Sequence, residues 1–376
     1  MRVIRAMFVL AIFCVAGLGA SAQSSAGSSI VTVPVAVGAS VAAWENAASW
    51  ESVHPVATRN IVYANVPILG NPSANPNPGI AGGGMQPLPN SASAAPGTMD
   101  LHLDVLQMPS TKPTPVVIQL HGGGWIRGDR PSSYKTFNAL LAAGMSVVTV
   151  DYRLGKDAPA PAAIGDVRCA MAWVKANAAK YNFDLSRVVI YGASAGGHLA
   201  LMAGYAPASF NPSGCTDQPK VAAVLDFYGP TNLAEGLTER GSSDFTHQWL
   251  GLEKPLVPYA AATAATAGPD VLPVASAALG PRWAAPSDAV LARAREMSPM
   301  NYIRAGLPPT FIVNGDHDPA VDPTQDAQLK KALDAAGVAD GQDIVAGGGH
   351  GNFSKAEADK AMLLCLKFLQ AQVILQ

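Results

Sequence analysis

Residues 188–200 read VVIYGASAGGHLA, and the order of residue types in this stretch decides the architecture. Val188 to Gly192 is a short apolar, β-branched run ending in glycine, the pattern of a buried strand. Ala195 to Tyr205 is apolar and Ala-rich, the pattern of a helix. Gly192-Ala193-Ser194-Ala195-Gly196 lies between them. In a chain with 36 glycines a bare Gly-x-Ser-x-Gly match is weak; wedged between a strand and a helix it is specific. A sharp strand-to-helix turn strains the backbone of its central residue and brings neighbouring chain close, so both flanks must be small. Ser194 then stands at the carboxyl edge of a sheet, before a helix N-terminus that favours developing negative charge. The plain alternative is an ordinary glycine-rich turn.

The same alternation extends in both directions. Residues 59–69, 101–108, 115–123, 145–153, 221–229, 309–316 and 341–349 read as further strands. Helices are expected around Phe137, Leu140 and Leu141, over 161–180, over 324–337 and over 354–370. Short apolar strands alternating with helices predict an α/β fold, a mostly parallel sheet covered on both faces. Two segments interrupt it. Residues 70–97 hold six glycines and six prolines, which no helix or ladder sustains, and read as a long surface loop. Residues 231–307 read as a cap or lid inserted over one edge.

Arg2 and Arg5, the apolar run 6–18 and the small residues Ala20-Ser21-Ala22 form an export signal peptide over 1–22, with a mature start near Gln23. The apolar run is shorter than the roughly 20 residues of a membrane span, and no later stretch is long and apolar enough. Residues 23–58 read as an N-terminal extension before a domain over 59–376. The net charge of −2, which becomes −4 on loss of the two arginines, comes without any basic run; this excludes a nucleic-acid binder that relies on a cationic face. Three cysteines remain after cleavage. Cys365 falls on an apolar stripe with Met362, Leu366 and Leu369 and reads as a buried thiol. Cys169 is offset from its helix's stripe and Cys215 sits in a loop, so these two are expected to pair in an exported protein. No His/Cys/Asp group has a metal-ligand spacing, and no cofactor is implied.

His121-Gly122-Gly123-Gly124-Trp125 follows the strand PVVIQL. Glycines at a strand end let backbone N–H groups face a cavity unobstructed. Gly122 and Gly123, with the Ala195 N–H, are therefore candidate donors to an oxyanion. His121 reads as a residue that holds the loop, and Trp125 as either pocket lining or packing. A serine hydroxyl needs a base. Of seven histidines, His350 in AGGGHGNF lies after the last strand and before the last helix, on a small-residue loop that can reach Ser194. His198 shares the nucleophile's helix and reads as packed; His317 sits among acids; His247 falls in the cap; His54 and His102 come early. The orienting acid lies in NGDHDP (314–319), as Asp316 or Asp318. Chain order is then Ser, Asp, His.

Together HGGGW, DYRL (151–154), GASAGGH and the Asp…GGGHG tail resemble the hormone-sensitive-lipase-like and feruloyl/acetylxylan-esterase-like (BD-FAE-like) branch of the α/β-hydrolases. The resemblance covers about residues 59–69 and 98–376. It implies an α/β-hydrolase fold and a serine carboxylic-ester hydrolase acting on small-molecule or carbohydrate esters. It places the acid three residues after Gly315, on Asp318, the nucleophile on Ser194, the base on His350 and the oxyanion loop on Gly122 and Gly123. The chain departs from the family in its longer 70–97 loop, in its expanded 231–307 segment and in the Pro-Ala-Val-Asp that follows the acid. Other readings of the same residues are a peptidase or amidase, a polysaccharide- or polyester-directed esterase, and a binding module that kept the fold. A base that must be neutral implies activity rising through about pH 6 to 7.

Overall fold

The computed structural model describes residues 53–71, 73, 97–134, 136–237, 243–254 and 283–375. The expected signal peptide, nearly all of the N-terminal extension, most of the 70–97 loop and the middle of the 231–307 segment lie outside the described residues. Eight strands are described: β1 (Val56–Pro67), β2 (Thr98–Gln107), β3 (Thr114–Leu120), β4 (Ser146–Val150), β5 (Phe183–Ala193), β6 (Val221–Phe227), β7 (Thr310–Gly315) and β8 (Asp340–Val345). They form one sheet in the order β1-β2-β4-β3-β5-β6-β7-β8. β1 with β2 and β2 with β4 run antiparallel; every other neighbouring pair is parallel. The described helices are α1 (Asn138–Ala142), α2 (Ala162–Ala176), α3 (Ala195–Tyr205), α4 (Leu233–Gly236), α5 (Ser243–Leu250), α6 (Asp288–Glu296), α7 (Pro323–Ala335) and α8 (Lys355–Ala371).

The apolar runs are continuous because the central strands are buried on both faces. Side chains alternate along a strand, so each run feeds two cores. Val116, Ile118 and Leu120 of β3 join Val188 and Ile190 of β5 in one core, with α2, α3 and Leu329 and Leu333 of α7. Val117 and Val189 point the other way, onto Leu140 and Leu141 of α1 and Leu366 and Leu369 of α8. This is the α/β-hydrolase arrangement.

The element bounds differ from the sequence expectation in several places. β1 starts at Val56, so residues 56–58 belong to the sheet rather than to an extension. β5 starts at Phe183, because Phe183 pairs with Thr114 of β3 across an irregularity in register despite the polar residues that follow it. α2 stops at Ala176, where Asn177 closes its last turn through the Trp173 carbonyl. β8 ends at Val345, leaving the glycines 347–349 as loop.

Arg153 of the DYRL stretch ties three of these elements together. Its Nε and Nη2 donate to both carboxylate oxygens of Asp166 in α2, at 2.7–3.1 Å, and Nη1 donates to the Pro67 carbonyl of β1. The Asp166 side chain is 1% exposed. Asp166→Ala strands a buried guanidinium and is expected to lower stability by about 3–5 kcal/mol, read as a drop in the urea midpoint with unchanged slope. Cys169 of α2 is bonded to Cys215 in the loop after α3, with Cα atoms 4.8 Å apart. Cys365 of α8 is a buried free thiol whose pKa burial pushes up.

Candidate active site

The turn from β5 into α3 puts Ser194 at φ +55° and ψ −124°, a conformation that side chains rarely adopt. Its neighbours impose that shape. The Ser194 N–H donates to the Phe227 carbonyl of β6 at 2.8 Å. A Cβ at Gly192 would stand 2.2 Å from the Gly196 carbonyl oxygen, and one at Gly196 would stand 2.3 Å from that of Leu120. Only glycine fits either place, so the flanking glycines let the turn fold back tightly enough to lift the serine above the strand ends.

His350 hangs on the loop between β8 and α8. Its Nε2 lies 2.7 Å from Ser194 Oγ and its Nδ1 lies 2.7 Å from Asp318 Oδ2. An ionised carboxylate only accepts, so Nδ1 carries the proton and Nε2 is left to accept from the serine hydroxyl. The other Asp318 oxygen accepts the N–H groups of Ala320 and Val321 at 2.7 and 3.0 Å, and the side chain is 1% exposed. Asp316, the other acid of the same turn, has different partners. It accepts from His317 Nδ1 and from the Gly347 N–H, and the His317 bond above all holds its carboxyl below the usual range.

The glycines of the HGGGW loop lie beside the serine. A Cβ at Gly122 would stand 3.5 Å from Ser194 Cβ. Gly123 has φ +118°, and a Cβ there would meet the Arg127 carbonyl oxygen at 2.2 Å. Its own carbonyl accepts the N–H groups of Ile126 and Arg127. The N–H groups of Gly122 and Gly123 donate to no described backbone acceptor, and Ala195 opens α3, where N–H groups have no intrahelical partner. His121 holds the loop from below. Its ring stacks on Tyr152 with centroids 4.2 Å apart, and Nδ1 donates to the Gly122 carbonyl. Burial lowers its pKa, which disfavours the protonated ring.

Trp125 packs rather than lines an open cavity: it is 2% exposed and stacks on Trp249 of α5 at 4.6 Å. Its Nε1 donates to His198 Nδ1, and His198 Nε2 donates to the Met297 carbonyl. Burial pushes His198 down to about 4, and with both nitrogens committed it has no part in proton transfer. Phe245 of α5 lies against Gly124, which brings one piece of the 231–307 segment onto the glycine loop.

Sequence reasoning missed Tyr228, the residue after β6. Its ring meets His350 edge to face at 4.8 Å and covers Gly351. The aromatic before Gly-Pro at a strand end was the available signal, but its φ of +45° shows only in the structure. Two buried acids, Asp226 and Asp326, were missed as well. Among the described residues no group of His, Cys, Asp and Glu has the arrangement to hold a metal ion, and no helix is long and apolar enough to cross a membrane.

The profile of the BD-FAE family matches residues 99–268 and 276–333, more than half of the sequence. The chain belongs to the BD-FAE family. That match takes in Gly122, Gly123, Ser194 and Asp318 and ends before His350. Among curated relatives of this BD-FAE protein, esterase LipQ of Mycobacterium tuberculosis is 28% identical over 65% of the chain and 52% of its own length. Carboxylesterase NlhH of the same organism is 32% identical over 60% of the chain and 62% of its own length. The chain thus spans about half the length of LipQ. Two solved structures share the α/β-hydrolase fold. Thermogutta terrifontis esterase 2 with butyrate bound has a TM-score of 0.57 at 23% identity, covering 76% of the chain and 93% of its own. A truncated carbohydrate esterase from gut microbiota has a TM-score of 0.57 at 22% identity, covering 85% and 98%.

Proposed function

We propose that this BD-FAE protein is an exported serine carboxylic-ester hydrolase. The observation that carries the reading is the unbroken line of hydrogen bonds from Ser194 Oγ through His350 to Asp318, beside N–H groups at Gly122, Gly123 and Ala195. His350 Nε2 takes the hydroxyl proton as Ser194 Oγ attacks the ester carbonyl. Asp318 holds the ring and stabilises the imidazolium that forms. The carbonyl oxygen, now negative, receives N–H donors from the glycine loop and from Ala195. Collapse of the intermediate expels the alcohol, which leaves with the proton from His350. Water, deprotonated by His350, attacks the acyl-Ser194 ester, and the acid departs with the enzyme restored.

The substrates are short-chain, aryl or carbohydrate esters. Hydrolysis of an aryl acetate with no turnover of the matching anilide is expected, and equal rates on the two would overturn the ester reading in favour of an amidase. Residues 1–22 serve as the export signal. Mass analysis of protein recovered outside the cytoplasm should give a chain starting near Gln23, and an intact Met1 on that material would refute the cleavage.

A further inference from the structure

Ser194, Asp318 and His350 stand on three separate turns, and the end of β6 reaches toward all three. The Phe227 carbonyl accepts the Ser194 N–H at 2.8 Å, and the next N–H, that of Tyr228, donates to the Val313 carbonyl of β7 at 2.7 Å. β7 ends two residues later, at Gly315, where the acid turn begins. The Tyr228 ring reaches the third turn. It meets the His350 ring at 4.8 Å with the two planes 61° apart, and it meets Phe353 at 5.8 Å. A Cβ at Gly351 would stand 2.5 Å from the Tyr228 hydroxyl oxygen and 2.7 Å from Cζ.

The base loop needs such a wall. Residues 347–351 read Gly-Gly-Gly-His-Gly, and glycine loses more backbone freedom on being fixed than any other residue. Hydrogen bonds tie the first half of the loop to the acid turn: the Gly347 N–H donates to Asp316, and the Gly348 carbonyl accepts from the His317 N–H. The Gly351 N–H instead turns back onto the Gly349 carbonyl inside the loop. The imidazole itself is held at its two nitrogens, by Ser194 and by Asp318. Hydrogen bonds at ring nitrogens lie near the ring plane, so these two leave the ring free to tilt about the line joining their partners. The His350 side chain is 24% exposed, so packing has to restrain that tilt from the covered side. Tyr228 packs there from a backbone at φ +45°, a region that bulky side chains rarely adopt. Strain of this kind gathers where a side chain has to be aimed.

We propose that Tyr228 is a positioning residue that acts through His350. Its ring walls the imidazole and the Gly351 backbone, and so fixes the tilt at which Nε2 meets the Ser194 hydroxyl. The effect on turnover rests on the esterase reading; the effect on the loop does not. The aromatic ring carries the role rather than the hydroxyl, because the contact with His350 is ring to ring.

The experiment uses the full chain with Ala or Phe at position 228. In the first arm, amide hydrogen exchange is followed by mass spectrometry on peptides spanning 190–198 and 346–354. Tyr228→Ala is expected to speed exchange in the base-loop peptide by at least about ten-fold, with Tyr228→Phe like wild type. The serine-turn peptide should not change, since the Phe227 carbonyl that holds it is backbone. Equal exchange of the 346–354 peptide in wild type and Tyr228→Ala would overturn the inference, whether or not any ester is hydrolysed.

In the second arm, on a short-chain aryl ester, Tyr228→Ala lowers kcat by about 10- to 100-fold with KM within about two-fold, and Tyr228→Phe stays within about three-fold of wild type. A raised KM with unchanged kcat would make the ring a substrate contact and overturn the inference. Equal losses in the Phe and Ala variants would shift the role to the hydroxyl and overturn it too. So would a Tyr228→Ala protein that fails to fold, since the ring would then be part of the core rather than a positioning group. Gly351→Ala supplies the reciprocal test, because its Cβ would collide with the Tyr228 ring. With the ring gone that collision is gone, so the double variant should retain at least about five-fold more kcat than the product of the two single losses. Losses that simply multiply would overturn the inference.

Discussion

Replacing Ser194 with alanine lowers kcat on a short-chain aryl ester by about 10⁵- to 10⁶-fold, with KM little changed. The size follows from what is removed. Ser194 Oγ is the atom 2.7 Å from His350 Nε2, and a methyl group leaves the base with nothing to deprotonate except water. The proposed oxyanion donors are backbone N–H groups and survive the change. The fold survives as well, because the strained turn is held by glycine contacts and by the Phe227 carbonyl rather than by the hydroxyl. Stability measured alongside should stay within about 1 kcal/mol of wild type. A residual rate within about ten-fold of wild type would mean that another group attacks the ester.

The two acids of the 314–319 turn provide the second large effect. Asp318→Asn lowers kcat by about 10⁴-fold, because an amide turns a donor toward His350 Nδ1 or leaves it with a weak acceptor, and the ring loses its tautomer and its charge partner. The variant keeps an oxygen for the Ala320 and Val321 N–H groups, so the turn itself persists. Asp316→Asn stays within about two-fold of wild type, since the hydrogen bonds that Asp316 accepts from His317 and Gly347 lie at the surface. Equal losses in the two variants would contradict the assignment of Asp318.

Much of this site is legible in the sequence because it is built from strand ends. Val188–Gly192, PVVIQL and PTFIV are short apolar runs terminated by small or polar residues, and the chemistry-bearing residues follow each of them directly. Chain order and the carboxyl edge of a parallel sheet then bring Ser194, Asp318 and His350 to one side. What escaped reading is what depends on pairing across the sheet. β5 reaches back to Phe183 because Thr114 is there to receive it, which the polar Asp184, Ser186 and Arg187 conceal. Asp226 looks like a polar interruption of VAAVLDF, and Asp326 like a routine acid in the first turn of a helix. Only the register of β6 and the docking of α7 show that neither meets water. Tyr228 escaped for a similar reason, since its contact with His350 spans two loops that are 122 residues apart. α6 lies in a segment read only as a cap, yet its start carried a local signal. Ser287 caps it by accepting the Val290 N–H, the arrangement that Ser-Asp ahead of an Ala/Arg-rich stretch encodes.

The central claim is that the hydroxyl at 194 is activated by the imidazole at 350. Covalent labelling of the folded protein by a serine-directed phosphylating agent, followed by peptide mass mapping, tests it most directly. One phosphyl group on the peptide containing Ser194 is the expected result, with labelling abolished in Ser194→Ala and slowed by at least about 10³-fold in His350→Ala. Labelling of Ser194 at the wild-type rate in the His350→Ala protein, or labelling confined to another serine, would contradict it.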